Sequence, residues 1–242
     1  MLRFLDVSFN TPEKNLAFDE ALLDSVEGGA REEILRIWES PSLFVVLGVS
    51  QPLRAHVYED VCARDKVPIL RRCSAGGCVL QGPGCLNFSL VLRTELHPEI
   101  RTIRDSYCFI LGKLAAALRL RGVSASHKGI SDLAVGGKKI SGNAQKRRKH
   151  AILHHGTLLY GMNPELMEKY LRDPVDRPQY RGTRTHRGFV SSLTLPVDEL
   201  KTLLVEAFNA SPKPATPKRL ELRTAINLMH EKYKLNDWVH RR

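Results

Sequence analysis

The sequence predicts an α+β domain built on a mixed, mostly antiparallel sheet with packed helices. Three observations carry this. Apolar stretches of β character come in hairpin-like pairs, other segments repeat apolar residues at three- and four-residue intervals, and the two patterns lack the regular alternation of a doubly wound parallel sheet. With 242 residues, 43% hydrophobic and 26% charged, the chain is long enough for a sizeable core.

Thr11 and Pro12 read as an N-cap and first helical residue. Leu16, Ala17, Ala21, Leu22, Leu23 and Val26 then form an apolar face that closes at Gly28-Gly29, a helix of about four turns. From Ile34 to Val49 the pattern is β-like: ILRIW, a turn at Pro41, then LFVVLGV ahead of Gln51-Pro52. VPILRR leads into the glycine-containing stretch CSAGGCVLQGPG, and CLNFSLVL follows as a strand. Ile103, Tyr107, Ile110, Leu111, Leu114, Ala117 and Leu118 mark a helix of roughly 20 residues. In DLAVGGKKISGNAQ, Gly136-Gly137 predicts a hairpin turn, and AILHHGTLLYG reads as another strand. Pro164 to Leu171 and Pro196 to Phe208 read as helices separated by an arginine-rich polar loop. The segment 210–219 carries three prolines and three basic residues, a linker or irregular turn before a final short helix. The main domain is therefore 1–210, and 211–242 is a short extension of it, too small to stand alone.

Lys and Arg number 37 against 26 Asp and Glu, a net charge of +11, so the surface favours an acidic partner. The excess is concentrated. No acidic residue lies between Asp132 and Glu165, a window holding Lys138, Lys139 and the run Lys146 to Lys149; a second acid-free window, Lys66 to Thr94, holds Arg71 and Arg72. The Lys146 to Lys149 run reads as a solvated face, which explains Arg71-Arg72 and Lys139 less easily; Arg71 is either part of an anion site or equally a surface strand residue. Arg72 and Lys139, by contrast, lie close to glycines. Gly76, Gly77, Gly142 and Gly156 allow backbone N–H groups to approach a ligand, and together with fixed cations they make an anion site. A phosphate-bearing ligand fits both windows.

Other classes fit less well. The apolar runs fall short of the roughly 20 residues a membrane span needs, and the opening MLRFLDVSFN has no signal-peptide pattern, so a cytoplasmic protein without a membrane partner is expected. Five cysteines, an odd and scattered set, read as free thiols with no zinc-binding spacing. The charge alone suggests a basic nucleic-acid-binding protein, but the basic windows lack interleaved aromatics and no finger or zipper pattern occurs, so no nucleic acid partner is expected.

The segments RRCSAGGCVLQGPGCLNFS (71–89), SDLAVGGKKISGNAQ (131–145) and HHGTLL (154–159), preceded by NLAFDEALL (15–23) and by LRIWESP and LGVSQ (35–51), resemble in order the lipoate–protein ligase family. That family shares a superfamily with octanoyltransferases and biotin ligases. The resemblance implies a biotin/lipoate ligase-like catalytic domain that uses ATP and Mg2+ to convert lipoate to lipoyl-AMP, then transfers the lipoyl group to a lysine of an acceptor protein.

By the same resemblance Lys139 is the catalytic cation, a compact ammonium able to touch both phosphate and acyl carbonyl; its neighbour Lys138 suits an exposed hairpin position. Arg72 contacts the adenylate, Gly76 and Gly77 border an apolar acyl slot, and Cys78 follows them. Asn87 and Ser89 lie on the next strand. Asp132 holds magnesium or nucleotide, or is a turn residue. Gly142 and Ala144 continue the lysine strand. His155, Gly156 and Thr157 complete the adenylate site, with His154 or His155 facing it. The basic stretch 181–193 docks phosphate or an acidic acceptor, or is a solvated loop. The implied acceptor is an acidic lipoyl domain or a glycine-cleavage H-like protein. The accessory domain of long ligases is missing, so either a separate small subunit supplies it or the enzyme works without one.

The rival within the superfamily is an octanoyltransferase acting from acyl carrier protein, which needs an activated cysteine. In the similar transferases that cysteine precedes the DLAV-like strand; here the stretch is VSASHKGIS, and Cys73, Cys78 and Cys85 cluster instead around the glycine loop.

Overall fold

A computed structural model describes residues 1–174 and 176–242. Its main sheet has seven strands in the spatial order β1 (Arg3–Asp6), β2 (Ile34–Trp38), β6 (Cys85–Arg93), β10 (Ala151–Leu159), β9 (Lys138–Arg147), β8 (Asp132–Val135) and β7 (Ser126–Lys128). All neighbours are antiparallel except β1 and β2. A second sheet orders β4 (Ile69–Arg71), β3 (Phe44–Leu47) and β5 (Val79–Gln81), with β3 and β4 parallel. The architecture is the α+β arrangement the sequence predicts.

The first long helix, α1 (Pro12–Glu27), starts on its proline and stops at Gly28, in agreement with the sequence pattern. Two short helices, α2 (Leu53–His56) and α3 (Glu59–Arg64), follow β3. Helix α4 (Ile103–Leu120) is capped by Thr102, whose hydroxyl accepts the Asp105 N–H at 3.1 Å. Then come α5 (Pro164–Tyr170), α6 (His186–Phe189), α7 (Val197–Ala207), α8 (Arg219–Leu228) and α9 (Asn236–Val239). Gly136 and Gly137, at φ +56° and +74°, make the β8–β9 turn of the left-handed type that matches strand twist.

Periodicity decides which face each element buries. Helices α4 and α7 cover one face of the main sheet, meeting Leu35, Ile37, Leu90, Ile152 and Leu158. On the opposite face α1 and α8 pack on Leu5, Ile34, Val91 and Leu153. The small sheet and its short helices close a third core around Val45, Leu80, Met167 and Phe189. Strand β10 spans the join. Among its site-facing residues Leu153 belongs to the α1 core and Leu159 to the third core. The gap between those two cores is where a ligand can enter.

Three features differ from the sequence reading. Strand β1 is four residues long, and no sequence pattern marks it. The arginine-rich loop contains a 3-10 turn, Gln179–Arg181, and α6. The expected final short helix is α8, followed by a π turn at Met229–Tyr233 and by α9. Among the described residues, no helix is long and apolar enough to cross a membrane.

Candidate active site

Two adjoining cavities, of about 120 and 560 Å3, open between the cores. They share Gly77, Cys78, Lys139, Gly142 and Thr157, so the lysine sits at their seam. The smaller is also lined by Arg72, Asn87, Ser89, Ala144, His155 and Gly156. Asp132 lines the larger. The candidate residues therefore converge on one place, except Gly76, which lines neither cavity. Gly76 shapes the loop instead. At φ +92° it turns the chain so that its carbonyl packs where a Cβ on Gly48 would lie, 2.1 Å away. Gly76 and Gly77 belong to an exposed loop between β4 and β5, not to a strand.

Lys139 Nζ lies 2.7 Å from Asp132 Oδ1 with its side chain 26% exposed, whereas Lys138 points to solvent. Tyr180 donates its hydroxyl to Asp132 Oδ2 at 2.8 Å. Asp132 is thus a strand residue with both carboxylate oxygens engaged, not a turn residue. Among the described residues no cluster of three or more metal-ligating side chains exists.

Arg72 is buried and bonds only to neutral groups, Ser74 Oγ at 3.0 Å and the carbonyls of Ala75 and Gly77 at 2.7 and 2.8 Å. Burial lowers its pKa, yet a guanidinium keeps its charge. Arg71 is also buried rather than on the surface, and it too bonds only to carbonyls: Gly48 at 2.8 Å, Gln51 at 2.7 Å and Val239 at 2.7 Å. Contrast Arg36, whose buried charge meets Asp19 Oδ1 at 2.6 Å. Among the described residues, Arg71 and Arg72 have no carboxylate partner. Of the two only Arg72 lines a cavity, and a buried guanidinium there without a carboxylate suits an anion.

The adjacent histidines divide by strand alternation. His154 faces α4, stacked on Phe88 at 6.0 Å with its nitrogens against Gln145 and Asn143, and burial drives its pKa down to about 3. His155 faces the smaller cavity. Its Nε2 is 2.6 Å from Ser74 Oγ and its Nδ1 3.6 Å from Asp19 Oδ2. Burial pushes the Asp19 carboxyl up, but Arg36 and the bonds from His155 and Ser89 outweigh it and hold the group below its ordinary value.

The cavity has further walls that the sequence reading missed: Leu16, Asp19, Trp38 and Gln81. Asp19 carried a signal, an acid set in the apolar face of α1. Thr157 is fixed by accepting from Gln81 Nε2 at 2.7 Å and donating to Asn87 Oδ1 at 2.8 Å. Gln81 Oε1 and Trp38 Nε1 are buried without partners, one acceptor and one donor on the same cavity wall. Orphaned buried polar atoms call for a ligand or a bound water.

No thiolate is prepared here. Burial pushes Cys78, the cysteine on the cavity walls, up to about 12, with Arg72 pulling the other way. Cys73 and Cys85 are also driven to about 12 by burial.

The sequence model of the lipoyl protein ligase A/B catalytic domain matches residues 11–209. The chain is 26% identical to octanoyltransferase LipM of Geobacillus kaustophilus, over 99% of this chain and 98% of that protein. It is 27% identical to lipoate-protein ligase A subunit 1 of Thermoplasma acidophilum, over 98% and 95% of the two. Among solved structures, a bi-partite lipoate protein ligase described with its E2 lipoyl domain, from Thermoplasma acidophilum, superposes with a TM-score of 0.86 at 25% identity, covering 99% of this chain and 96% of that one.

Proposed function

Because the chain belongs to the lipoyl protein ligase A/B catalytic domain family, we propose that it is a cytoplasmic, ATP-dependent lipoate–protein ligase. The acid's carboxylate attacks the α-phosphorus of ATP and displaces pyrophosphate, giving lipoyl-AMP. The ε-amine of an acceptor lysine, having lost its proton, then attacks the acyl carbonyl, and AMP leaves. The acyl tail occupies the smaller cavity and the nucleotide the larger.

The observation that carries this reading is the position of Lys139 at the seam of the two cavities. A cation there meets the mixed anhydride where tail and nucleotide join, and charge placed in advance at that point lowers the barrier. Arg72 adds a second, uncompensated charge on the wall of the acyl cavity. The family includes octanoyltransferases, as the similarity to LipM illustrates. Two features favour the ligase over that alternative: the VSASHKGIS stretch has no cysteine, and burial keeps the Cys78 thiol protonated. Five free cysteines suit a reducing compartment.

The net charge of +11 suits an acidic lipoyl domain or a glycine-cleavage H-like protein as acceptor. The related archaeal ligase is bi-partite, so a small accessory subunit is part of the proposal to be tested. The deciding experiment is mass spectrometry of a lipoyl domain incubated with the protein, lipoate and ATP. A lipoyl mass increment that requires ATP is expected. Modification from octanoyl carrier protein, and none from free acid with ATP, would establish the transferase instead.

A further inference from the structure

We propose that Tyr180 is a positioning residue for Lys139, acting through Asp132. The inference deepens the ligase reading above and rests on it for its catalytic readout. Tyr180 lines neither cavity, so it has no direct route to a bound compound. Its ring is wedged against Phe189, with centroids 5.1 Å apart, and its edge lies 3.7 Å from where a Cβ on Gly129 would sit. From there the hydroxyl reaches Asp132 Oδ2 at 2.8 Å, while Asp132 Oδ1 holds Lys139 Nζ at 2.7 Å. The tyrosine fixes the rotation of the carboxylate, and the carboxylate fixes the ammonium.

The same segment grips the β8–β9 hairpin at two more points. Ser191 N–H donates to the Lys139 carbonyl at 2.9 Å, and Arg184 Nη1 donates to the Gly137 carbonyl at the turn, also at 2.9 Å. Lys139 is therefore held at its backbone and at its side-chain tip by residues 180–191. A long, four-carbon side chain would otherwise spread over several rotamers, and a misplacement of about 1 Å at a reacting centre can cost up to a hundredfold in rate. Burial and the Asp132 charge push the Tyr180 hydroxyl far above its ordinary range, which keeps it a donor at all working pH values.

The test is a double-mutant cycle of Tyr180→Phe and Asp132→Asn, read in two ways on the full chain. Lipoate-dependent ATP–pyrophosphate exchange reads catalysis, and acetylation of Lys139 by acetic anhydride, quantified by mass spectrometry against Lys138, reads the freedom of the amine without any need for activity. Tyr180→Phe is expected to lower kcat about tenfold with KM for lipoate and ATP changed less than twofold, and to raise Lys139 acetylation severalfold. In the Asp132→Asn background the same change should do almost nothing in either readout, because its route is gone. Costs that multiply, or Lys139 reactivity indifferent to Tyr180→Phe, would overturn the proposal. Should the wild type show no exchange while acetylation follows the expected cycle, the ligase reading fails and the positioning role stands.

Discussion

Two glycines that the sequence presents alike serve different ends once the side chains around them are in place. At Gly142 an added Cβ would lie 2.8 Å from both Cε and Nζ of Lys139, with no unusual backbone angle required. The glycine is the floor over which the lysine crosses to Asp132. Gly142→Ala should therefore push a flexible tip aside at little cost to folding while moving the ammonium: we expect pyrophosphate exchange to fall by roughly ten- to a hundredfold, and the thermal midpoint to move by about 1 °C or less. At Gly156 the added Cβ would sit 1.9 Å from Asn143 Oδ1 and 2.8 Å from Phe88, so that glycine protects packing. His154 supplies the other prediction at this scale. Burial, with the neighbouring His155 charge second, lowers its folded-state pKa from 6.5 to about 3. An imidazole that protonates more readily when unfolded favours folding above pH 6.5, and that contribution is lost as pH falls from there toward 3. Urea midpoints at pH 7.5 and pH 4.5 should differ, and His154→Phe should narrow the difference. Equal narrowing by a change at exposed His150 would refute the assignment.

Strand β9 shows how an element, rather than a residue, chooses the catalytic candidate. Gly142 and Ala144 line the cavity, and strict alternation back from them would put Ile140 and Lys138 on the site face and send Lys139 toward α4. The β8–β9 register breaks between Leu133 and Ala134: Leu133 faces Ser141, Ala134 faces Lys139, and Ile140 has no partner. This bulge drops Ile140 into the large core and turns Lys139 onto the face of Asp132. Lys138→Ala should accordingly keep activity within about twofold while Lys139→Ala abolishes adenylate formation, both with unchanged circular dichroism; the reverse order of effects would show the register to be wrong. Here the limits of sequence reading become physical. The hairpin was legible because Gly136-Gly137 announce a turn that demands positive φ, and α1 and α4 because their periodicity is strong. The bulge was not, since one extra residue leaves composition and pattern unchanged, and Lys139 was singled out by family resemblance where alternation alone favours Lys138. Tyr180 was unreadable for a related reason, since it matters through a partner 48 positions away; Asp19 showed as an acid in an apolar helix face, but its partner Arg36, 17 positions on, did not.

Across the whole molecule, the segment outside the matched family region contributes to the site from behind. Tyr233, on the π turn, packs with Leu16, Trp38 and Val46, three walls of the smaller cavity, and donates its hydroxyl to Glu20 at 2.7 Å. Trp238 Nε1 donates to the Arg71 carbonyl at 2.8 Å, and the Arg71 guanidinium returns two bonds to the Val239 carbonyl while also gathering the carbonyls of Gly48 and Gln51. Arg71 thus ties the C-terminal helices, the 48–51 turn and the strand end that bears Arg72 into one knot. A planar guanidinium spreads its donors over three nitrogens and so reaches these separated carbonyls; a lysine ammonium projects its three N–H bonds from one nearer nitrogen and would leave buried acceptors unpaired. Arg71→Lys is expected to cost about 2 kcal/mol, which for a domain of this size is roughly 4–8 °C in Tm. Because Arg72 is the next residue, the same variant should also bind a non-hydrolysable lipoyl-adenylate analogue several-fold more weakly at temperatures where it remains folded. Calorimetric titration at 15 °C separates the two effects. Reduced Tm with unaltered affinity would mean that the knot holds the fold without shaping the site, whereas reduced affinity in a folded protein makes residues 229–242 a working part of the smaller cavity.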